Sequence, residues 1–107
     1  HTLIDRELYL PKRWTNDRQR CERAGVPENV EFATKLQLAR KMLGRARDAG
    51  IPARWVCADA LYGTDHRFRQ FIEAQRLNYV LAVSRDQTIW VGKSQHRVDA
   101  IIRRIEE

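Results

Sequence analysis

Trp55-Val56-Cys57-Ala58, closed by Asp59, and Tyr79-Val80-Leu81-Ala82-Val83 are the two apolar runs that decide the fold. Each is too short for a helix and sits between turn residues, and a run apolar on both faces suits an interior parallel strand. Between them Gly63 and Thr64 make a turn and a cap. Phe68, Phe71 and Ile72 then form the apolar stripe of a helix ending near Arg76. Strand, helix, strand in this order predicts a right-handed βαβ unit whose helix covers a parallel sheet.

Upstream, Thr34-Lys35-Leu36-Gln37 is a capping box, because the Thr hydroxyl and the Gln side chain can satisfy each other's backbone donors. Leu38, Ala39, Met42, Leu43, Ala46 and Ala49 recur at helical spacing, and Gly50, Ile51 and Pro52 supply a left-handed C′ residue, a hydrophobic contact and a stop. Thr2 to Leu10 is β-tolerant and ends at Pro11, which predicts a strand near a sheet edge. Thr15 or Asn16 caps a short helix to about Arg23, closed by Gly25 and Pro27. Downstream, Thr88 to Val91 suits a strand and Gly92 to Ser94 a turn. Val98, Ile101, Ile102 and Ile105 give a short amphipathic helix. The fold class expected is α/β, a mixed sheet with a central βαβ unit flanked by helices.

At 107 residues the chain is one domain or part of one. It opens on His1 inside an apolar-rich stretch, so we expect a piece of something longer. No apolar stretch is long enough to span a membrane and no secretory leader is visible. Cys21 and Cys57 are too few for a disulfide framework or a cysteine zinc site, which suggests reduced thiols in a cytoplasmic protein. Charged residues make up 32%, above the usual quarter, with a net charge of +6. The excess is concentrated between residues 34 and 54, where Lys35, Arg40, Lys41, Arg45, Arg47 and Arg54 face Asp48 alone. Sixteen of the 20 cations are Arg, a preference that suits bidentate phosphate contacts and also arises from coding bias. Trp14, beside Lys12 and Arg13, belongs to a partial core or stacks on a base.

Asp59 is the candidate for chemistry. It ends an apolar strand, and ligands of open α/β sheets bind outside the carboxyl ends of strands. A carboxylate there can hold a hard cation such as Mg²⁺. It can equally accept backbone hydrogen bonds and start the turn Ala60 to Gly63. There is no His-x-x-His or Cys-x-x-Cys spacing for zinc, no nucleophile elbow and no glycine-rich phosphate loop. Ser84 reads as a surface loop serine.

Several blocks together carry a resemblance: Arg6 to Pro11, Trp14 and Asp17, Gly25-Val26-Pro27, Phe32, Thr34-Lys35, Trp55-Val56-x-Ala58-Asp59-x-x-Tyr62-Gly63 and Tyr79 to Val83. In this order and at these separations they resemble the middle of a bacterial insertion-sequence transposase of the DDE superfamily, from about residue 2 to about residue 85. The resemblance implies part of an RNase H-like catalytic domain, truncated at both ends. Two Asp and one Glu of that domain bind two divalent ions, Mg²⁺ or Mn²⁺, for DNA cleavage and strand transfer. It implies that Asp59 is the second of these carboxylates, catalytic and metal-binding. The first Asp is expected on a strand before His1 and the closing Glu on a later helix, and Glu73, Glu106 and Glu107 do not stand in that Glu's sequence context. By itself the chain is therefore expected to show no measurable strand cleavage. The implied partners are DNA, as transposon ends and target, and further copies in a full-length homo-oligomer. Lys12, Arg13, Arg40, Lys41, Arg45 and Arg47 are the candidate DNA-binding residues.

A second hypothesis is a small basic nucleic-acid-binding α/β module without catalysis, in which Asp59 is dispensable. A third is a plain α/β domain with no activity.

Overall fold

An extended arm and three helices make up the first of two units, His1–Pro52 and a second starting at Ala53. The computed structural model describes residues 1–106. Pro11 opens helix α1 (Lys12–Thr15), where a missing N–H costs nothing at a helix start. Asp17 caps α2 (Arg18–Arg23), its side chain accepting from the Arg20 N–H at 3.1 Å. Thr15 and Cys21 are the buried residues of this corner.

Helix α3 (Lys35–Asp48) has both ends as the sequence reading expects. Gln37 N–H donates to Thr34 Oγ1 at 3.1 Å, and Thr34 N–H donates to Gln37 Oε1 at 2.8 Å. At the other end Gly50 takes φ 72°, a conformation that costs other residues a Cβ clash. Ile51 N–H then reaches Ala46 O at 3.0 Å, closing the Schellman motif.

The arm before α1 forms no strand. Its alternation does not serve a ladder. It carries Asp5 and Glu7, two apart and so on one side of an extended chain, toward α3. Asp5 takes a fork from Arg45, with Nε on Oδ2 and Nη2 on Oδ1, both at 2.9 Å. Glu7 Oε1 accepts from Arg45 Nη1 and pairs with Lys41 Nζ at 3.1 Å.

The second unit contains the expected strand–helix–strand. Strand β1 (Trp55–Ala58) pairs in parallel with β2 (Asn78–Leu81), in register from Trp55 with Asn78 to Ala58 with Leu81. Between them lie the short helix α4 (Ala60–Gly63) and α5 (His66–Ala74). Asp65 caps α5 by accepting from Phe68 N–H at 2.7 Å, and Phe68 and Ile72 of α5 are buried almost completely. Ile72 and Phe68 therefore form the core beneath one face of the strands.

Burial of β1 and β2 on both faces does not hold. Trp55 is 62% exposed and Val80 63%, and Cys57 between them is exposed as well. Both strands instead alternate exposed and half-buried, because the sheet has two strands and α5 fills one side. Parallel and antiparallel pairing both occur, in two separate two-stranded sheets rather than one mixed sheet.

The second sheet is a hairpin of β3 (Thr88–Val91) and β4 (Ser94–Arg97), followed by α6 (Val98–Glu106). Sequence reading missed β4, since Ser94-Gln95-His96-Arg97 contains no strong β-former. Pairing makes it a strand, around a turn in which Gly92 takes φ 62° as two-residue hairpin turns favour.

Helix α5 ends on Arg76 at φ 56°, a non-glycine residue in the left-handed region. Its N–H donates to Glu73 O at 2.9 Å, the position a C′ glycine normally fills. Arg76→Gly is expected to raise stability by about 0.5–1 kcal/mol, relief of the Cβ clash exceeding the added chain entropy. Urea unfolding of the two proteins measures this, and equal or lower stability of the variant contradicts it.

Candidate metal and nucleic-acid site

Asp59 stands where β1 ends, immediately after Ala58, whose carbonyl accepts from Ala82 N–H at 3.0 Å. The carboxylate caps α4: Oδ1 accepts from Leu61 N–H at 3.0 Å. Asp59 is exposed, and Oδ2 accepts no hydrogen bond among the described residues. One oxygen fixes the turn and the other is left without a hydrogen bond among the described residues. Cap and open oxygen coexist, so the two roles foreseen for this residue do not compete.

The turn behind Asp59 is held from three sides. Gly63 packs so closely on the end of β2 that a Cβ there would lie 1.8 Å from Ala82 O. Arg69 of α5 donates through Nη1 to Gly63 O, and Tyr62 lies tilted against Phe68 with ring centroids 5.5 Å apart. A rigid frame of this kind gives a ligand a defined orientation. Among the described residues no three His, Cys, Asp or Glu side chains gather closely enough to hold a metal ion. Asp59 therefore stands as a single exposed carboxylate with no such set of His, Cys, Asp or Glu around it among the described residues.

The other candidates divide between two helical surfaces of the first unit. Lys12 and Arg13 lie exposed on α1, with Lys12 Nζ 5.1 Å from the centre of the Phe32 ring. On α3, Arg40 is half-buried and Arg47 lies in the last turn, while Lys41 and Arg45 are taken by Glu7 and Asp5. The sequence did not disclose those pairs, because their partners are 34 to 40 residues apart in the chain. Also unforeseen is Arg20, whose guanidinium carbon sits 3.9 Å from the centre of the Trp14 ring. The adjacent Lys12 and Arg13 drew attention to Trp14, but the corner between α1 and α2 decides which cation covers it.

The cluster of Asp5, Glu7 and Arg45 is pH-sensitive. Hydrogen bonds from Arg45 hold both carboxyls below their ordinary range, helped by the Arg6 backbone N–H at Asp5 and by Lys41 at Glu7. A carboxyl depressed in the folded state favours folding above its unfolded pKa, and the benefit is lost as pH falls through the folded value. The melting temperature is therefore expected to fall on acidification from about pH 5 to pH 3. Arg45→Gln should flatten that acid limb. Circular-dichroism melts at stepped pH check this, and an acid limb of equal steepness in the variant contradicts it.

A family model described as DDE superfamily endonuclease matches residues 1–99. The chain belongs to this family. Comparison with curated proteins and with solved structures gave no match. The strand–helix–strand, with Asp59 directly after its first strand, is consistent with a partial RNase H-like domain of a DDE-superfamily protein. DDE-superfamily endonucleases act on DNA and use divalent metal ions. No helix of this DDE-superfamily chain among the described residues is long and apolar enough to cross a membrane.

Proposed function

We propose that this chain is the middle part of the RNase H-like catalytic domain of an insertion-sequence transposase. In this reading Asp59 is the second carboxylate of its metal site. The observation that carries the reading is an exposed carboxylate directly after β1 whose Oδ1 fixes the turn and whose Oδ2 accepts no hydrogen bond among the described residues. Divalent ions, Mg²⁺ or Mn²⁺, would supply the Lewis acidity for in-line displacement at a phosphodiester. Asp59 would hold one such ion, with the remaining carboxylates coming from residues outside this chain. Its charge has to be retained for that purpose, and the exposed setting keeps it solvated until the ion arrives.

Cations of the first unit would meet the DNA backbone through salt-sensitive contacts. By itself the chain is expected not to cleave DNA. The test is strand cleavage by the complete transposase containing this sequence. Activity should require a divalent ion, stop on chelation and be lost in Asp59→Asn. Cleavage that persists in Asp59→Asn supports the non-catalytic nucleic-acid-binding reading of this segment instead.

A further inference from the structure

Cations of the first unit are held in two chemically different ways. Lys41 and Arg45 are held by carboxylates, which cancel their charge. Arg20 is held by Trp14, Lys12 by Phe32 and Lys35 by Tyr9, at 3.9, 5.1 and 5.3 Å from the ring centres. An aromatic face positions a cation without neutralising it. A phosphate approaching Arg45 must displace Asp5 and Glu7, whereas one approaching Arg20 displaces only water.

The corner of α1 and α2 gathers cations that no carboxylate holds. Lys12, Arg13, Arg18, Arg20 and Arg23 stand against Asp17 and Glu22, and none of the five makes an ion pair among the described residues. Arg18 is spent on structure, donating to the Val30 carbonyl at 3.1 Å. Trp14 is a firm platform. It is half-buried, its backbone N–H donates to Pro11 O at 2.9 Å, and its carbonyl accepts from the buried Cys21 thiol at 3.1 Å. A guanidinium lying on an indole keeps its N–H donors at the rim and has already lost much of its rotamer freedom. It can then grip a phosphate at reduced entropic cost.

We propose that the aromatic-held cations Arg20 and Lys12, together with Arg13, form the DNA-backbone contact of this unit, and that the carboxylate-held face of α3 does not. The proposal rests on the reading that this chain engages DNA.

The experiment is fluorescence anisotropy of a labelled duplex of about 20 base pairs, titrated with the chain over a range of salt. Arg20→Gln and Lys12→Gln are each expected to weaken binding about tenfold and to reduce the salt slope by about one. Arg45→Gln should stay within about twofold of the parent. Arg20→Lys retains the charge but not the planar stack, and is expected to lose about two- to threefold. It also serves if Arg20→Gln fails to melt like the parent by circular dichroism. Binding that survives at Arg20 and Lys12 but falls in Arg45→Gln overturns this assignment and leaves the DNA reading standing. No binding by the parent at low salt overturns both.

Discussion

Asp59→Asn in the proposed complete transposase is expected to lower strand cleavage by roughly 10³-fold or more, since metal-ion stabilisation of the reaction supplies several kcal/mol. Its melting temperature should nevertheless match the parent. The contrast follows from what each oxygen does. Asn keeps an acceptor of the same size for Leu61 N–H and is as good an N-cap as Asp, so α4 keeps its start. It removes the negative charge, which the cap does not need and a cation does. Asp59→Ala removes both and is expected to cost about 1 kcal/mol of stability in addition to activity. A residue that only capped would give the reverse pattern, with Asp59→Asn silent and Asp59→Ala destabilising but active. Cleavage rates and melts of the two variants, measured together, separate these outcomes.

The largest stability effect is expected at Gly63→Ala. An added Cβ would meet Ala82 O at 1.8 Å, Ala82 C at 2.9 Å and the Leu81 Cβ at 3.0 Å. The nearest of these atoms are backbone, and the same residue's N–H is tied to Ala58 O across the strands. No side chain can swing aside, so either α4 lifts or the end of β2 gives way. Overpacking commonly costs 1–3 kcal/mol, and separation of two backbone segments places this case at about 3 kcal/mol or above. Any relief also moves the turn that carries Asp59, so activity should fall with stability. Urea unfolding checks the first effect, and a change below about 1 kcal/mol would show that the contact between α4 and β2 is looser than described.

How much of this was legible beforehand depended on how local the determinant is. The capping box at Thr34 and Gln37 and the stop at Gly50 are set within a few residues, and the sequence displays them in full. The pairing of β1 with β2 was legible because a strand–helix–strand order leaves few alternatives. The arm from Thr2 to Leu10 was misread because its alternation has two meanings. Only tertiary structure reveals that Asp5 and Glu7 face Arg45 rather than that the apolar residues face a sheet. Strand β4 escaped for a related reason, since its β-structure comes from its partner and not from its own residues.

The site shows the same division. Asp59 was visible as a strand-ending carboxylate, and the cap was one of the two uses named for it, but not that Oδ1 alone makes that cap. The basic character of α3 was equally plain. That Lys41 and Arg45 spend their charge inside the molecule was not, nor was the stacking of Arg20 on Trp14. Composition counts charges. It does not show which of them are already answered.

The most direct measurement adds Mn²⁺ to the proposed complete transposase, isotopically labelled, and reads paramagnetic broadening of its backbone amides. Broadening centred on Asp59, Ala60 and Leu61 that disappears in Asp59→Asn is the result predicted here. Broadening elsewhere, or broadening at that turn that survives Asp59→Asn, would contradict the assignment of this carboxylate to a divalent ion.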